Sequence, residues 1–73
     1  MRFGRRRALV RVHMTPAAGG GTIEGFMVGR WSGHYVLMRA KLVEGADRSV
    51  GMDGNVEVPV RNVLCLQRFR GEP

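Results

Sequence analysis

The 73-residue chain is poor in residues that bind metals or form cross-links, with a single cysteine, Cys65, and two histidines, His13 and His34. One cysteine cannot form an internal disulfide. A structural zinc site needs about four ligands at set spacings, which these three residues do not provide. We therefore expect a reduced thiol, no bound metal and no cofactor. A domain this small is marginal when alone, so association with other chains, including copies of itself, is the expected support.

Long apolar runs are also missing. The longest, residues 35–38 and 63–66, have the length of strands, and a membrane-spanning helix needs about 20 apolar residues. Near the N-terminus, the apolar segment 8–10 is interrupted by Arg11, far short of the roughly 7–15 apolar residues of a signal peptide. The sequence thus predicts cytoplasmic synthesis and no membrane partner.

No grouping of residues typical of an active site is present. The loop carboxylates are scattered, so no pair for acid–base chemistry is evident. Cys65 lies in a predicted strand between two leucines, a position typical of a packing residue. The glycine triplet 19–21 precedes a predicted strand rather than a helix and has no lysine nearby, which argues against a phosphate-binding loop. We predict a protein that is not an enzyme and has no small-molecule substrate.

Lysine is nearly absent, and arginine carries the positive charge. Eleven of the 12 basic residues are arginine, a bias that fits either a GC-rich genome or selection for bidentate guanidinium contacts. Residues 1–11 carry five arginines and no acid, whereas the remaining residues carry seven basic and six acidic side chains. Residues 1–7 are predicted to form a flexible basic arm that contacts an acidic protein surface, nucleic acid or only solvent. The candidate partner-binding residues of this region are Arg2, Arg5, Arg6, Arg7 and Arg11.

Alternation of apolar and polar residues is the main structural signal in the chain, and its period of two predicts half-buried strands. Gly25 and Gly29 lie inside one such segment, where glycine indicates a bulge or a bend. Gly33 is expected to carry the positive φ of a two-residue turn. A loop is predicted over residues 45–54 and a helical turn at the corner 59–62. The predicted strands are residues 8–14, 22–31, 34–43, 55–60 and 63–69.

The same alternation assigns faces to the strands. In the third strand the inner face is predicted to begin with Val36 and Met38, which leaves Tyr35 and Leu37 outside. Together with Leu9, these two outward residues are candidates for contact with a partner through an outer apolar face. The predicted core residues are Val10, Val12, Val36, Met38, Leu42, Val56, Val58 and Leu64.

Five short strands separated by turns predict an all-β domain over residues 8–70, an antiparallel barrel that is closed or nearly closed, followed by a tail at 71–73. The segments VEVPVRNVLCL and TIEGFMVGRW resemble the small barrels of the Sm-like and SH3-like kind over roughly residues 8–69. The Sm-like RNA-binding signature, an Asp after the second strand and a later [KR]-G pair, is missing. The resemblance therefore concerns the strand pattern.

A second resemblance concerns the block GTIEGFMVGRWSGHYVLMRAKLVEG. It is similar to short proteins encoded among the virion structural genes of tailed phages that infect actinobacteria. This resemblance implies a virion component, namely a minor capsid, capsid-decorating or head–tail connector protein that binds capsid or connector subunits and whose arm reaches acidic protein or packaged DNA. The alternatives are an Sm-like regulator that binds RNA and a small phage-encoded inhibitor of a host protein.

Overall fold

The computed structural model describes residues 7–45 and 48–69, and these form an all-β domain. Two short 3₁₀ turns, Pro16–Ala18 and Val60–Asn62, interrupt the strands. No α-helix occurs within the described residues. The strands are β1 (Leu9–Met14), β2 (Thr22–Trp31), β3 (His34–Val43), β4 (Ser49–Gly51), β5 (Val56–Pro59) and β6 (Val63–Phe69).

The strands form one antiparallel sheet in the order β4-β3-β2-β1-β6, with β5 also paired to β3. The prediction of five strands was wrong, because the loop predicted at 45–54 contains β4, which pairs with the end of β3. No ladder joins β5 to β6 in the part of the chain that the structure describes, so the sheet is open along this line.

The predicted turns are confirmed. Ser32 and Gly33 connect β2 to β3 with φ angles of 52° and 73°, the two positive values that a type I′ hairpin turn requires. The predicted helical turn is the 3₁₀ segment Val60–Asn62. The Val60 N–H donates to the Gly33 carbonyl at 2.9 Å, and the Thr15 N–H donates to the Asn62 carbonyl at the same distance. This turn is therefore tied to both neighbouring loops.

The core lies on one face of the sheet, called the inner face. Val10, Val12, Leu37, Ala40 and Val58 are buried there and form one cluster. Their side chains come from β1, β3 and β5, and Met14, Ile23, Val56 and Leu66 are among the partly buried residues packed against them. Burial of Val10, Val12, Val36 and Val58 is confirmed, whereas Leu42 and Val56 are half-buried.

The assignment of faces in β3 was wrong at Leu37 and Met38. Leu37 is fully buried with no exposed surface, and Met38 is half-buried on the opposite face. The cause is a bulge: Glu24 pairs with Lys41 and Phe26 with Met38, so one more residue lies on β3 than on β2. Arg39 takes the irregular conformation there, with φ of 52°. A single extra residue reverses the alternation of the strand.

A second irregularity, between Met27 and Gly29, lies near the hairpin. Val36, the partner of Gly29, is only 2% exposed although it alternates with Leu37. The indole of Trp31 occupies the space above Gly29, since a Cβ at position 29 would lie 2.6 Å from Trp31 Cζ3. The glycines at 25 and 29 therefore mark two bulges, as predicted.

Leu64 is not a core residue, which corrects the prediction from the sequence. Its exposed fraction is 66%. His13 pairs with Cys65 and Met14 with Val63, so Leu64 is the extra residue of a bulge in β6. The irregular backbone turns its side chain to solvent, and the neighbouring Cys65 is exposed as well.

Candidate functional site

The outer face of the sheet, opposite the core cluster, carries a row of four apolar residues. Phe69, Leu9, Phe26 and Met38 are consecutive cross-strand partners on β6, β1, β2 and β3. All four are half-buried. We call these four residues the apolar row. Neighbouring strands are about 4.8 Å apart, so the row extends about 14 Å across the sheet.

One step along the strands lies a row of charged residues, called the charged row. Arg11, Glu24 and Lys41 are cross-strand partners on β1, β2 and β3. Arg11 Nε donates to Glu24 Oε1 at 2.8 Å, and Lys41 Nζ lies 3.5 Å from Glu24 Oε2. The guanidinium of Arg11 also stands 5.6 Å from the centre of the Phe69 ring. One carboxylate thus faces two cations beside the apolar row.

Glu24 is the central residue of the charged row. Its side chain is 14% exposed, whereas the side chain of Arg11 is 42% exposed. The hydrogen bond from Arg11 holds the pKa of the Glu24 carboxyl below its ordinary value; partial burial opposes this effect, and the charge of Lys41 adds to it. Because both cations are well exposed, solvent screens the pairs, and their net stabilisation is about 1 kcal/mol or less.

A polar network follows on the far side of the charged row. His13 Nε2 lies 3.2 Å from Gln67 Oε1, and its Nδ1 lies 3.1 Å from the hydroxyl of Thr22. The amide oxygen of Gln67 accepts from Nε2, and the hydroxyl of Thr22, which can donate or accept, lies within hydrogen-bond distance of Nδ1. These bonds join β1, β2 and β6 and leave the His13 ring no free nitrogen.

Beyond the apolar row, on the side away from Glu24, is a hollow of about 360 Å³. Phe26 and Met38 supply its apolar surface, and Arg7 and Arg39 supply two guanidinium groups. We call it the arginine hollow. The positive φ of Arg39 is strained for a residue with a Cβ and costs roughly 1–2 kcal/mol. The bulge directs this arginine toward the hollow.

A second hollow, of about 370 Å³, opens over the charged row toward β4. Arg11, Lys41 and Arg48 line it together with Glu24. Arg48 also lies 3.9 Å from Glu44, and its side chain is 78% exposed. Cations therefore border the outer face on both sides of the apolar row.

The structure brings together only some of the residues that were predicted to bind partners. Arg2, Arg5 and Arg6 lie outside the described residues. Arg7 is exposed at the arginine hollow, and Arg11 belongs to the charged row.

The predicted outer apolar face is only partly correct. Leu9 is part of the apolar row. Tyr35 is half-buried, pairs with Val58 and lies 5.6 Å below the guanidinium of Arg30. Leu37 is buried in the core and is not available to a partner.

Four residues of the apolar row and the arginine hollow were missed: Phe26, Met38, Arg39 and Phe69. The face of Met38 was assigned from uninterrupted alternation, which the bulge at Arg39 breaks. Gly25 was the available signal, because a Cβ there would approach both the Ala40 Cα and the Met38 carbonyl oxygen to 3.1 Å. Because the close approach of β3 leaves no room for a Cβ, Gly25 marks the position on β2 that lies opposite the bulge.

Within residues 7–45 and 48–69, no group of three or more histidine, cysteine, aspartate or glutamate side chains is arranged to hold a metal ion. The same residues contain no helix long and apolar enough to cross a membrane.

Comparison with known proteins adds no relative: no family model, no curated protein and no solved structure matches this chain.

Proposed function

We propose that this protein is a non-enzymatic binding module of a tailed-phage virion, which docks on other virion subunits through the outer face of its sheet. The observation that carries the proposal is the apolar row, which is half-buried and bordered by cations on both sides. Interfaces combine an apolar centre with a polar rim in this way, and arginine is enriched in them. The inner face is already filled by the core of the domain.

The virion assignment is supported by the resemblance of the block at residues 21–45 to small phage structural proteins. In that setting the protein is made in the host cytoplasm and acts in the virion, against capsid or connector subunits. In the sequence, the predicted basic arm, residues 1–7, precedes β1, which begins at Leu9 of the apolar row. Its arginines would add positive charge for contact with acidic protein or packaged DNA.

For the fold we propose an SH3-like or Sm-like barrel over residues 8–70. The 3₁₀ turn between β5 and β6, its two backbone hydrogen bonds to the neighbouring loops, and the pairing of β6 with β1 support this assignment. Closure at β5 and β6 is the step that goes beyond the hydrogen-bonded sheet. Backbone amide exchange of β5 and β6 tests it, since solvent-exposed edges exchange rapidly.

Mass spectrometry of purified virions tests the function directly, and we expect the protein at a fixed ratio to the capsid or connector subunits. The triple variant Arg5→Ala, Arg6→Ala, Arg7→Ala should change the unfolding free energy by about 0.5 kcal/mol or less. Its incorporation into virions should fall, and lysine at the three positions should restore it only in part if the contacts are bidentate. Absence of the protein from virions would refute the proposal.

A second candidate function is RNA binding by a ring of copies, as in Sm-like regulators. The excess of cations around Arg11, Lys41 and Arg48 favours it. It requires a homomeric ring in solution and an RNA affinity that falls steeply as salt rises. A monomer that does not retain RNA at low salt excludes this function.

A further inference from the structure

We propose that the apolar row and the arginine hollow bind an acidic, extended segment of a partner protein, with a large apolar side chain seated between Arg7 and Arg39. This inference rests on the proposed function and names the chemistry of the partner. The hollow offers an apolar floor and two guanidinium groups in one place. A segment that supplies an apolar side chain flanked by carboxylates matches both parts.

The floor of the hollow suits an apolar side chain. Phe26 and Met38 are cross-strand partners and are half-buried. Phenylalanine gives a rigid apolar surface, and methionine adapts its shape to what it contacts. The hollow of about 360 Å³ is large enough for one aromatic or long aliphatic side chain.

The strained backbone conformation of Arg39 indicates that the arginine hollow binds a ligand. This residue stands at a φ of 52°, where glycine or asparagine is more stable than arginine. Conformations of this kind occur disproportionately where a side chain has a task, and a bulge is a common way to direct it. The task that the position offers is contact with an anionic group at the rim of the hollow.

The geometry of the row sets the length of the occupant. The row crosses four strands, β6, β1, β2 and β3. A segment that lies along it covers about 14 Å, which corresponds to roughly four extended residues at about 3.4 Å each. Carboxylates along its two flanks would reach Arg7 and Arg39 on one side of the row and the exposed charge of Arg11 and Lys41 on the other.

The observations favour an acidic protein segment over nucleic acid. Glu24 lies between the two cations of the charged row and carries a negative charge at neutral pH, since its pKa is lowered. A continuous phosphate backbone would pass this carboxylate, whereas separate side-chain carboxylates can avoid it. The apolar row also presents only two aromatic rings, Phe26 and Phe69, and they are separated by Leu9, whereas base stacking uses several rings in succession.

The test uses the full chain and fluorescein-labelled synthetic peptides, measured by fluorescence polarisation at several salt concentrations. The probe is DEFDLDE, and the control peptides are DESDSDE, without apolar side chains, and NQFNLNQ, without charge. A single-stranded DNA of 12 thymidines tests whether the same site binds nucleic acid. We expect binding of the first peptide only, with chemical-shift changes at Phe26, Met38 and Arg39 in nuclear magnetic resonance spectra.

Three variants locate the site. Arg39→Gly should weaken binding about fivefold, the scale of one exposed ion pair, while the fold becomes no less stable because glycine accepts the positive φ. Arg7→Glu should weaken binding by at least as much through charge reversal. Met38→Asp should abolish it. Arg61→Ala is the control, because it removes one positive charge at an exposed position in the 3₁₀ turn before β6 and should leave binding unchanged.

The outcomes separate this inference from the proposed function. If the protein is present in virions but binds none of the peptides, or binds them equally after Arg39→Gly and Arg7→Glu, the inference is wrong and the virion role stands. If the thymidine strand binds at the same residues in preference to the peptide, the inference is also wrong. If the peptide binds as expected but virions lack the protein, the virion role fails and the binding site stands.

Discussion

The two faces of the sheet use the same strands for different purposes. The inner face buries Val10, Val12, Leu37, Ala40 and Val58 and carries no buried charge within the described residues. The outer face instead combines the half-buried apolar row with an ion-paired carboxylate and exposed cations. The inner face is completed by the chain itself. The outer face has a composition that is typical of a surface that binds another molecule.

The difference is also one of energy. Full burial of a valine or leucine side chain is worth about 1.5–3 kcal/mol, and the inner face has several such residues. The exposed ion pairs of the outer face are each worth about 1 kcal/mol or less. The fold therefore depends mainly on the inner face, and the outer face can be changed with little loss of stability. This separation allows binding and folding to be tested independently.

The largest expected effect separates two neighbours in β3. Leu37→Ala should lower the free energy of unfolding by about 2–5 kcal/mol, because it leaves a cavity in the core. Met38→Ala, on the outer face, should lower it by about 1 kcal/mol or less. Urea unfolding followed by the fluorescence of Trp31 measures both. Equal losses in the two variants would mean that the faces of β3 are assigned incorrectly.

A smaller effect is expected at the bulge that sets the two faces apart. Gly25→Ala places a Cβ 3.1 Å from both the Ala40 Cα and the Met38 carbonyl oxygen, so the backbone of β3 must move. Overpacking of this kind costs about 1–3 kcal/mol. Gly51→Ala is the matched control, since a Cβ there meets nothing within 4 Å. Comparable unfolding curves for the two variants would contradict the close approach.

Glu24→Gln tests the charged row through its dependence on pH. A lowered carboxyl pKa stabilises the fold above the ordinary value of 4.5, and this contribution is lost as the pH falls through the lower, folded-state value. The variant should therefore be less stable than the parent at pH 7, by about 1 kcal/mol or less because the cations are exposed. The difference should disappear in acid.

Thermal unfolding of the parent and the Glu24→Gln variant between pH 2 and pH 7 measures this effect. Glu57→Gln, which alters an exposed carboxylate on β5, serves as the control. A stability difference at Glu24 that persists unchanged into acid would show that the ion pairs are not its source.

The smallest effect on stability is expected at Gly29. Gly29→Ala places a Cβ 2.6 Å from Trp31 Cζ3, so the indole must move. Trp31 is 51% exposed, so it can move at a cost of about 1 kcal/mol or less. The emission spectrum of this single tryptophan should nevertheless change. An unchanged spectrum, matching that of Gly51→Ala, would place the indole elsewhere.

Local sequence was sufficient for the elements themselves. The predicted bounds of β2, β3 and β6 are confirmed to the residue, whereas β1 is one residue shorter and β5 two residues shorter than predicted. Alternation within a strand and the conformational freedom of Gly33 are properties of a few neighbouring residues, which is why they can be read without the fold. The short strand β4 was not predicted, because its three residues, Ser49–Gly51, are all exposed and show too little alternation to detect.

The faces of the strands, in contrast, were not all assigned correctly from local sequence. Met38 was predicted inside and Leu37 outside, the reverse of the structure, and Leu64 was predicted in the core. Each error follows from a bulge, in which one strand contributes a residue more than its partner. A bulge is a relation between two strands, so the alternation of one strand alone does not contain it.

In the candidate site, too, some features follow from local sequence and others only from the tertiary structure. The arginine content of residues 1–11 and the glycines that mark the bulges are properties of the sequence alone. Only the tertiary structure decided that Phe26, Met38 and Arg39 meet Arg7 at one hollow and that Glu24 lies between two cations. Sequence fixes the chemistry and period of each strand, because these depend on neighbours in the chain. Strand pairing fixes register, and register decides which side chains share a face.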